Sequence, residues 1–187
     1  SGSNLQALMD ATRDGRIPGK IVRVISNRPG AYGLERAAAA DIPCQIHPYG
    51  PYKEQAGGRS AYDEALAGLV DDAQPDLIVL AGWMRILSPA FVNHFSDRLI
   101  NLHPALPGAY PGKDAIKRAW EDARQGGQQA TGVMIHRVVE EVDAGSVLGV
   151  REVQIEPGES LSSLEDKMHA AEHELIVAVV SQLLASK

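Results

Sequence analysis

The stretch DLIVLAGWMRILSPAFVNHFSDRLINLH, residues 76–103, decides the fold. It begins and ends on the apolar runs DLIVLAG and LINLH, and neither carries the polar alternation of a strand with one wet face. Strands of that kind are covered on both sides, the arrangement of a parallel sheet whose crossovers are helices. Ile86 and Leu87 then read as the start of the core face of the helix between the two runs.

The same pattern extends in both directions. Upstream, KIVRVISN (20–27) and CQIHPY (44–49) read as strands, with the helix YGLERAAAADI (32–42) between them. GRSAYDEALAGLVDDA (58–73) is a helix that places Tyr62, Leu66, Leu69 and Val70 on one face. Downstream, DAIKRAWEDARQ (114–125) is helical, and TGVMIHRVVEEVDAG (131–145) and SVLGVREVQI (146–155) are two further strands. The last segment sets Leu161, Leu164, Met168, Ala171, Leu175, Val179 and Leu183 at steps of three and four, which is one long amphipathic helix. The expectation is one open α/β sheet over residues 1–187, parallel in its first half, in a single domain.

Composition limits what such a domain can do. Hydrophobic residues make up 44% of the 187, enough for a full core, and the net charge of -6 leaves no broad basic surface for nucleic acid. Cys44 is the only cysteine, so neither a disulfide framework nor a thiolate metal cluster is expected, and a reducing cytoplasmic compartment fits. No apolar run reaches the ~18 residues of a membrane span.

In open α/β sheets ligands bind beyond the carboxyl ends of the strands, so the polar residues at strand exits carry the functional reading. Asn101 and His103 stand two apart at the end of LINLH and therefore leave the strand on one face, after which Pro104 stops any helical continuation. An amide donor beside an imidazolium donor suits an oxygen that turns negative in a tetrahedral intermediate; the plainer reading is a capped, solvated loop. Asp143 precedes a glycine turn, and its charge would favour the protonated ring if the fold brought it to His103. Gly2, Ser3 and Asn4 open a helix and would offer backbone N–H groups to an anion, although Ser-Gly-Ser is also what an expression linker leaves behind. Trp83, Met84, Ile86 and Leu87 around Arg85 could form an apolar lip for a flat heterocycle with a carboxylate tail, or simply begin a helix core.

His136 lies within a strand between Met134 and Val138 and reads as packed or loop-facing. His169 and His173 stand one helical turn apart, without the glutamate of a His-Glu-x-x-His site or a third ligand, so no metal is expected. Glu172 between them could accept hydrogen bonds from a sugar hydroxyl.

Taken together, GSNLQAL, SNRPGAYGLERA, LAGWMRILSPAFV, NLHPALPGAYPG, EEVDAG and AAEHEL, in this order, resemble the phosphoribosylglycinamide formyltransferase family over essentially the whole chain. The resemblance implies a single-domain, Rossmann-like open twisted sheet, mostly parallel with an antiparallel C-terminal part and helices on both faces. It implies transfer of a formyl group from 10-formyltetrahydrofolate to the amine of glycinamide ribonucleotide, in the cytoplasm, by a monomer or homodimer with no metal. It assigns Asn101, His103 and Asp143 to catalysis, and Gly2, Ser3 and Asn4 with His169, Ala170, Ala171 and Glu172 to the ribotide. To the folate it assigns Arg59, Met84, Arg85, Ile86, Leu87 and Asn101, together with Val139, Glu140, Glu141, Val142 and Asp143. His103 is expected to be kept cationic by Asp143.

Two departures from the family pattern matter. HPALPGAYPG is closer to the fungal-type loop than to the common bacterial one, and Lys113 and Asp114 stand where many relatives carry a histidine, so that histidine's role is not transferred. The family also begins with a strand ahead of the glycine loop, and such a strand is expected to precede Ser1. Formyltetrahydrofolate hydrolase and methionyl-tRNA formyltransferase share the Asn-x-His-Pro segment and are the rival enzymes. A non-catalytic nucleotide sensor is the rival of another class, but it leaves Asn101, His103 and Asp143 without a task.

Overall fold

The computed structural model describes residues 1–186. In chain order it holds α1 (Ser3–Arg13), β1 (Val24–Ser26), α2 (Tyr32–Ala39), β2 (Cys44–Ile46), α3 (Gly58–Asp71), β3 (Ile78–Leu80), α4 (Pro89–His94), β4 (Leu99–His103), α5 (Ala115–Arg124), β5 (Ala130–Arg137), β6 (Val147–Gln154) and α6 (Leu161–Ala185). The alternation of strand and helix is an open α/β sheet, parallel early and antiparallel late. β1 pairs with β2 and β3 with β4 in parallel, whereas β4–β5 and β5–β6 are antiparallel.

Two hydrogen-bonded ladders result, β1-β2 and β3-β4-β5-β6. They share a core, because Ile25 of β1 packs on the same apolar cluster as Ile78 and Leu80 of β3. The strand expected from TGVMIHRVVEEVDAG ends at Arg137, and residues 138–146 leave the sheet as a loop. The loop closes at its base where Arg137 N–H donates to the Ser146 carbonyl (2.9 Å) and Val138 N–H to the Leu99 carbonyl (3.1 Å).

Helices cover both faces, and the period-2 alternation of β4 decides what each face receives. Ile100 and Leu102 point into the larger cluster with Val133 and Ile135 of β5, Leu8 of α1, Ala119 of α5 and Leu164, Met168 and Ile176 of α6. Leu99 points the other way, onto Tyr62 and Leu66 of α3 and Phe91 of α4. Asn101 and His103 alternate with Ile100 and Leu102, so they share the Leu99 face at the strand's carboxyl end. Ser88 starts α4 as its N-cap, its hydroxyl accepting from Phe91 N–H at 3.4 Å, with Pro89 in the first turn.

Candidate active site

The antiparallel register of β4 and β5 sets Asn101 opposite His136 and His103 opposite Met134. Directly opposed residues present their side chains on one face, so His136 joins the two polar residues at the end of β4. Asp143 reaches them from the loop after β5. Its backbone is left-handed, with φ 56, and the Gly145 that follows lies so close to the Arg137 carbonyl that no side chain fits there. The turn therefore folds the carboxylate back over the sheet.

Four side chains converge as a result. Asp143 Oδ2 lies 3.3 Å from His103 Nδ1 and accepts the Gly112 N–H at 2.9 Å. Asp143 Oδ1 lies 3.5 Å from His136 Nε2 and 3.4 Å from Asn101 Nδ2. His136 Nδ1 sits 2.8 Å from the carbonyl of Arg137, which can only accept, so this nitrogen carries the proton and Nε2 faces the Asn101 amide at 3.3 Å as a lone pair. His103 Nε2 meets the Tyr110 carbonyl at 3.1 Å and must donate to it. His103 and His136 are buried, at 4% and 2% exposure, while Asn101 is half-buried.

The charge state of His103 differs from the expectation. Burial pushes its ring below the ordinary imidazole range, outweighing the upward pull of Asp143 and of the Tyr110 carbonyl; His136 adds to the downward push. A buried cation loses solvation that one neighbouring carboxylate does not fully replace, so the resting ring is not held cationic by Asp143. Stability should follow. Between the folded value and the ordinary 6.5, the unfolded chain binds more protons than the folded one, so His103 lowers stability as pH falls through that window and the effect levels off below it. Urea midpoints between pH 7.5 and 5 should therefore drop less for His103→Gln than for the parent chain; equal slopes would show that the ring's burial is not coupled to folding.

The residues expected to meet the ribotide sit at α1 and α6. Gly2 caps α1 with φ 66, and a Cβ there would come within 2.8 Å of the Gly33 Cα. Only glycine lets the two loops approach in this way, and it leaves the first-turn N–H groups of α1 open. Asn4 Nδ2 donates to Glu172 Oε2 at 2.8 Å, joining α1 to α6, and Asn4 Oδ1 is buried without a protein partner. Ala171 and Glu172 are buried, while His169 and Ala170 are exposed beside them.

On the remaining side, α3 fixes the loop that follows β3. Arg59 Nη2 donates to the Ile86 carbonyl at 2.6 Å, and Asp63 Oδ2 accepts the Ser88 N–H at 2.6 Å. Arg85 lies over the Tyr49 ring, 3.6 Å from its centroid, and so turns into the protein. Leu87 is in the core, as the plainer sequence reading had it, whereas Met84 and Ile86 are each 60% exposed. Val139 and Val142 are exposed on the loop after β5, Glu141 is exposed beside them, and Glu140 Oε1 accepts from Asn93 Nδ2 of α4 at 3.0 Å. Two anchored loops thus present apolar side chains on either side of the polar cluster.

His136, the Tyr110 carbonyl and Gly112 N–H are the groups that reading the sequence did not place in this cluster. His136 was detectable only through strand register, which pairs it with Asn101; the two backbone groups have no side-chain signature at all.

Comparison with known proteins follows the same lines. Residues 1–180 match the family described as formyl transferase. Phosphoribosylglycinamide formyltransferase of Schizosaccharomyces pombe is 48% identical over 98% of this chain and 93% of its own length, and that of Escherichia coli 38% identical over 97% and 82%. The human trifunctional purine biosynthetic protein adenosine-3 is 36% identical over 100% of this chain, which spans 18% of that protein. Among solved structures, phosphoribosylglycinamide formyltransferase from Bacillus halodurans superposes with a TM-score of 0.91 at 32% identity, covering 99% of this chain and 91% of that one.

Proposed function

The chain belongs to the formyl transferase family, and from that premise we infer how its residues divide the work of the reaction. It is an enzyme that transfers a formyl group to the amine of glycinamide ribonucleotide in purine biosynthesis, with a folate-type donor. The donor is read as 10-formyltetrahydrofolate. The observation that supports this division is the convergence of Asn101, His103, His136 and Asp143 at one strand end, without a serine or cysteine nucleophile among them.

Transfer is then direct. The neutral amine attacks the formyl carbon, the C=O bond opens to an oxyanion, the amine loses a proton, and the bond to the folate nitrogen breaks as that nitrogen gains one. His103 stands with one buried nitrogen toward Asp143 and is neutral at rest, so it takes up a proton as negative charge grows beside it. The cationic ring and the Asn101 amide stabilise the oxyanion, while Asp143 offsets the charge on the ring. The amide nitrogen of Asn101, turned inward in the free chain, has to share its N–H groups with the oxyanion. Gly2, Ser3 and Asn4 with Glu172 hold the ribotide, and Met84, Ile86, Val139 and Val142 flank the flat donor.

Donor absorbance with and without the ribotide tests the assignment. Loss of formyl only when glycinamide ribonucleotide is present is expected; loss without it would mean a hydrolase, and none at all would mean a binding module. Replacement Gly2→Ala should raise the KM for the ribotide about tenfold and leave that for the donor unchanged, because the side chain forces the loop away from Gly33. An unchanged ribotide KM would remove the α1 loop from the site.

A further inference from the structure

Along the loop between β3 and α4, Met84 and Ile86 face outward, each 60% exposed, while Trp83, Arg85 and Leu87 turn inward onto one apolar cluster. That is the period of two of an extended chain. Two anchors hold its second half, Arg59 on the Ile86 carbonyl at 2.6 Å and Asp63 on the Ser88 N–H at 2.6 Å. The first half leaves β3 through Gly82, with φ 72, and is held by side chains, Trp83 packed on the cluster and Arg85 on two rings. The guanidinium lies 3.6 Å from the centroid of Tyr49 and 5.2 Å from that of Tyr62. The seat itself is rigid. Tyr62 of α3 is fully buried; its hydroxyl donates to the His47 carbonyl at 3.0 Å, and His47 Nε2 donates to the Tyr62 carbonyl at 3.0 Å. His47 also stacks on Tyr62 with centroids 4.3 Å apart, and Tyr49 and Tyr52 meet Tyr62 edge-on at 5.3 and 5.4 Å. Tyr49 follows Pro48, and the Tyr52 N–H closes a turn on its carbonyl at 2.9 Å.

We propose that Tyr49 is a positioning residue for the formyl donor: by seating the Arg85 guanidinium it keeps the first half of the loop ordered, with Met84 and Ile86 set against the donor's flat ring system. A cation within about 6 Å of a ring centroid is drawn to the ring's face, most strongly where water is displaced, and Tyr49 and Arg85 are both half-buried. The planar guanidinium stacks on such a face in a way that a compact ammonium does not. Arg85 stands between the two outward side chains in the sequence, so pinning its head inward turns theirs away from the cluster. Released from Tyr49, the segment from Gly82 to Arg85 samples other conformations, and ordering it then has to accompany binding, which weakens the complex. Tyr49 acts through Arg85, and what it contributes is the face of its ring rather than its hydroxyl.

The proposal rests on this loop being a wall of the folate site, and its first readout needs no donor. Nitrogen-15 relaxation of the free chain should give the Met84 and Arg85 amides order parameters near the ~0.85 of rigid backbone in the parent and in Tyr49→Phe, falling below ~0.6 in Tyr49→Leu and in Arg85→Met. The second readout is the affinity, by calorimetry, for tetrahydrofolate and for tetrahydropteroate, which keeps the ring system and lacks the glutamate tail. Tyr49→Leu and Arg85→Met should each weaken both compounds about tenfold, and Tyr49→Phe neither. The double variant should be no weaker than either single one, because each breaks the same contact. The KM for the ribotide should stay unchanged throughout. An ordered loop in Tyr49→Leu overturns the proposal, as does a disordered one with unchanged affinity for both compounds. So does Tyr49→Phe behaving like Tyr49→Leu. A loss confined to the tail-bearing compound overturns it too, since the seat would then serve to aim the charge of Arg85 at a carboxylate. Disorder that follows the seat in a chain whose parent form binds neither compound would sink the folate reading and leave the ordering role of Tyr49 standing.

Discussion

Replacing His103 by alanine is expected to lower kcat by a factor of about 10² to 10³ and to leave the KM for both small molecules within about threefold. The effect is confined to turnover because the ring is only 4% exposed and its nitrogens face Asp143 and the Tyr110 carbonyl. It offers substrate little ground-state contact surface and acts on charge that appears later. Steady-state kinetics with saturating ribotide and donor provide the check, and His103→Gln keeps the site filled so that cavity formation is separated from loss of the base. A variant with full kcat would take the ring out of the chemistry; one with normal kcat and a large rise in KM would make it a binding group.

The second large effect is expected at Asp143→Asn. Asparagine tolerates the left-handed φ of 56 found here better than most residues, so the turn before Gly145 should survive while the charge is lost. What disappears is the carboxylate facing His103, and with it the largest upward pull on the ring. The Gly112 N–H also loses a charged acceptor. Charge-assisted hydrogen bonds are about twice as strong as neutral ones, and losing them together with the ring's counter-charge should reduce kcat about 10²-fold. The His103 midpoint should move further toward acid, which NMR titration reads directly. Wild-type turnover in Asp143→Asn, with an unmoved midpoint, would show that shape rather than charge is what this residue supplies.

Much of this was legible in the chain. The unbroken apolar character of DLIVLAG and LINLH announced strands covered on both faces, and β3 and β4 pair in parallel between two apolar clusters. The three-four spacing from Leu161 onward gave α6. The spacing of Asn101 and His103 gave their common face, because the period of a strand is fixed by the backbone. What could not be read were the relations set by register and by turns. Val138 to Asp143 looked like strand and is loop, because Val138, Val139 and Val142 have a strand's composition while Arg137 N–H already closes on the Ser146 carbonyl and Asp143 turns left-handed. His136 looked like packing because its neighbour across the ladder belongs to another segment. The balance of burial against the Asp143 charge at His103 depends on three-dimensional enclosure and has no counterpart in residue order.

The Asn4–Glu172 hydrogen bond spans 168 positions. It ties the loop proposed to seat the ribotide to α6, which follows Asn101, His103 and Asp143 in chain order, so the groups proposed to stabilise the oxyanion are synthesised before that seat can close. A chain cut ahead of α6 is therefore expected to lack one wall of that proposed seat, whatever the state of the groups at the end of β4.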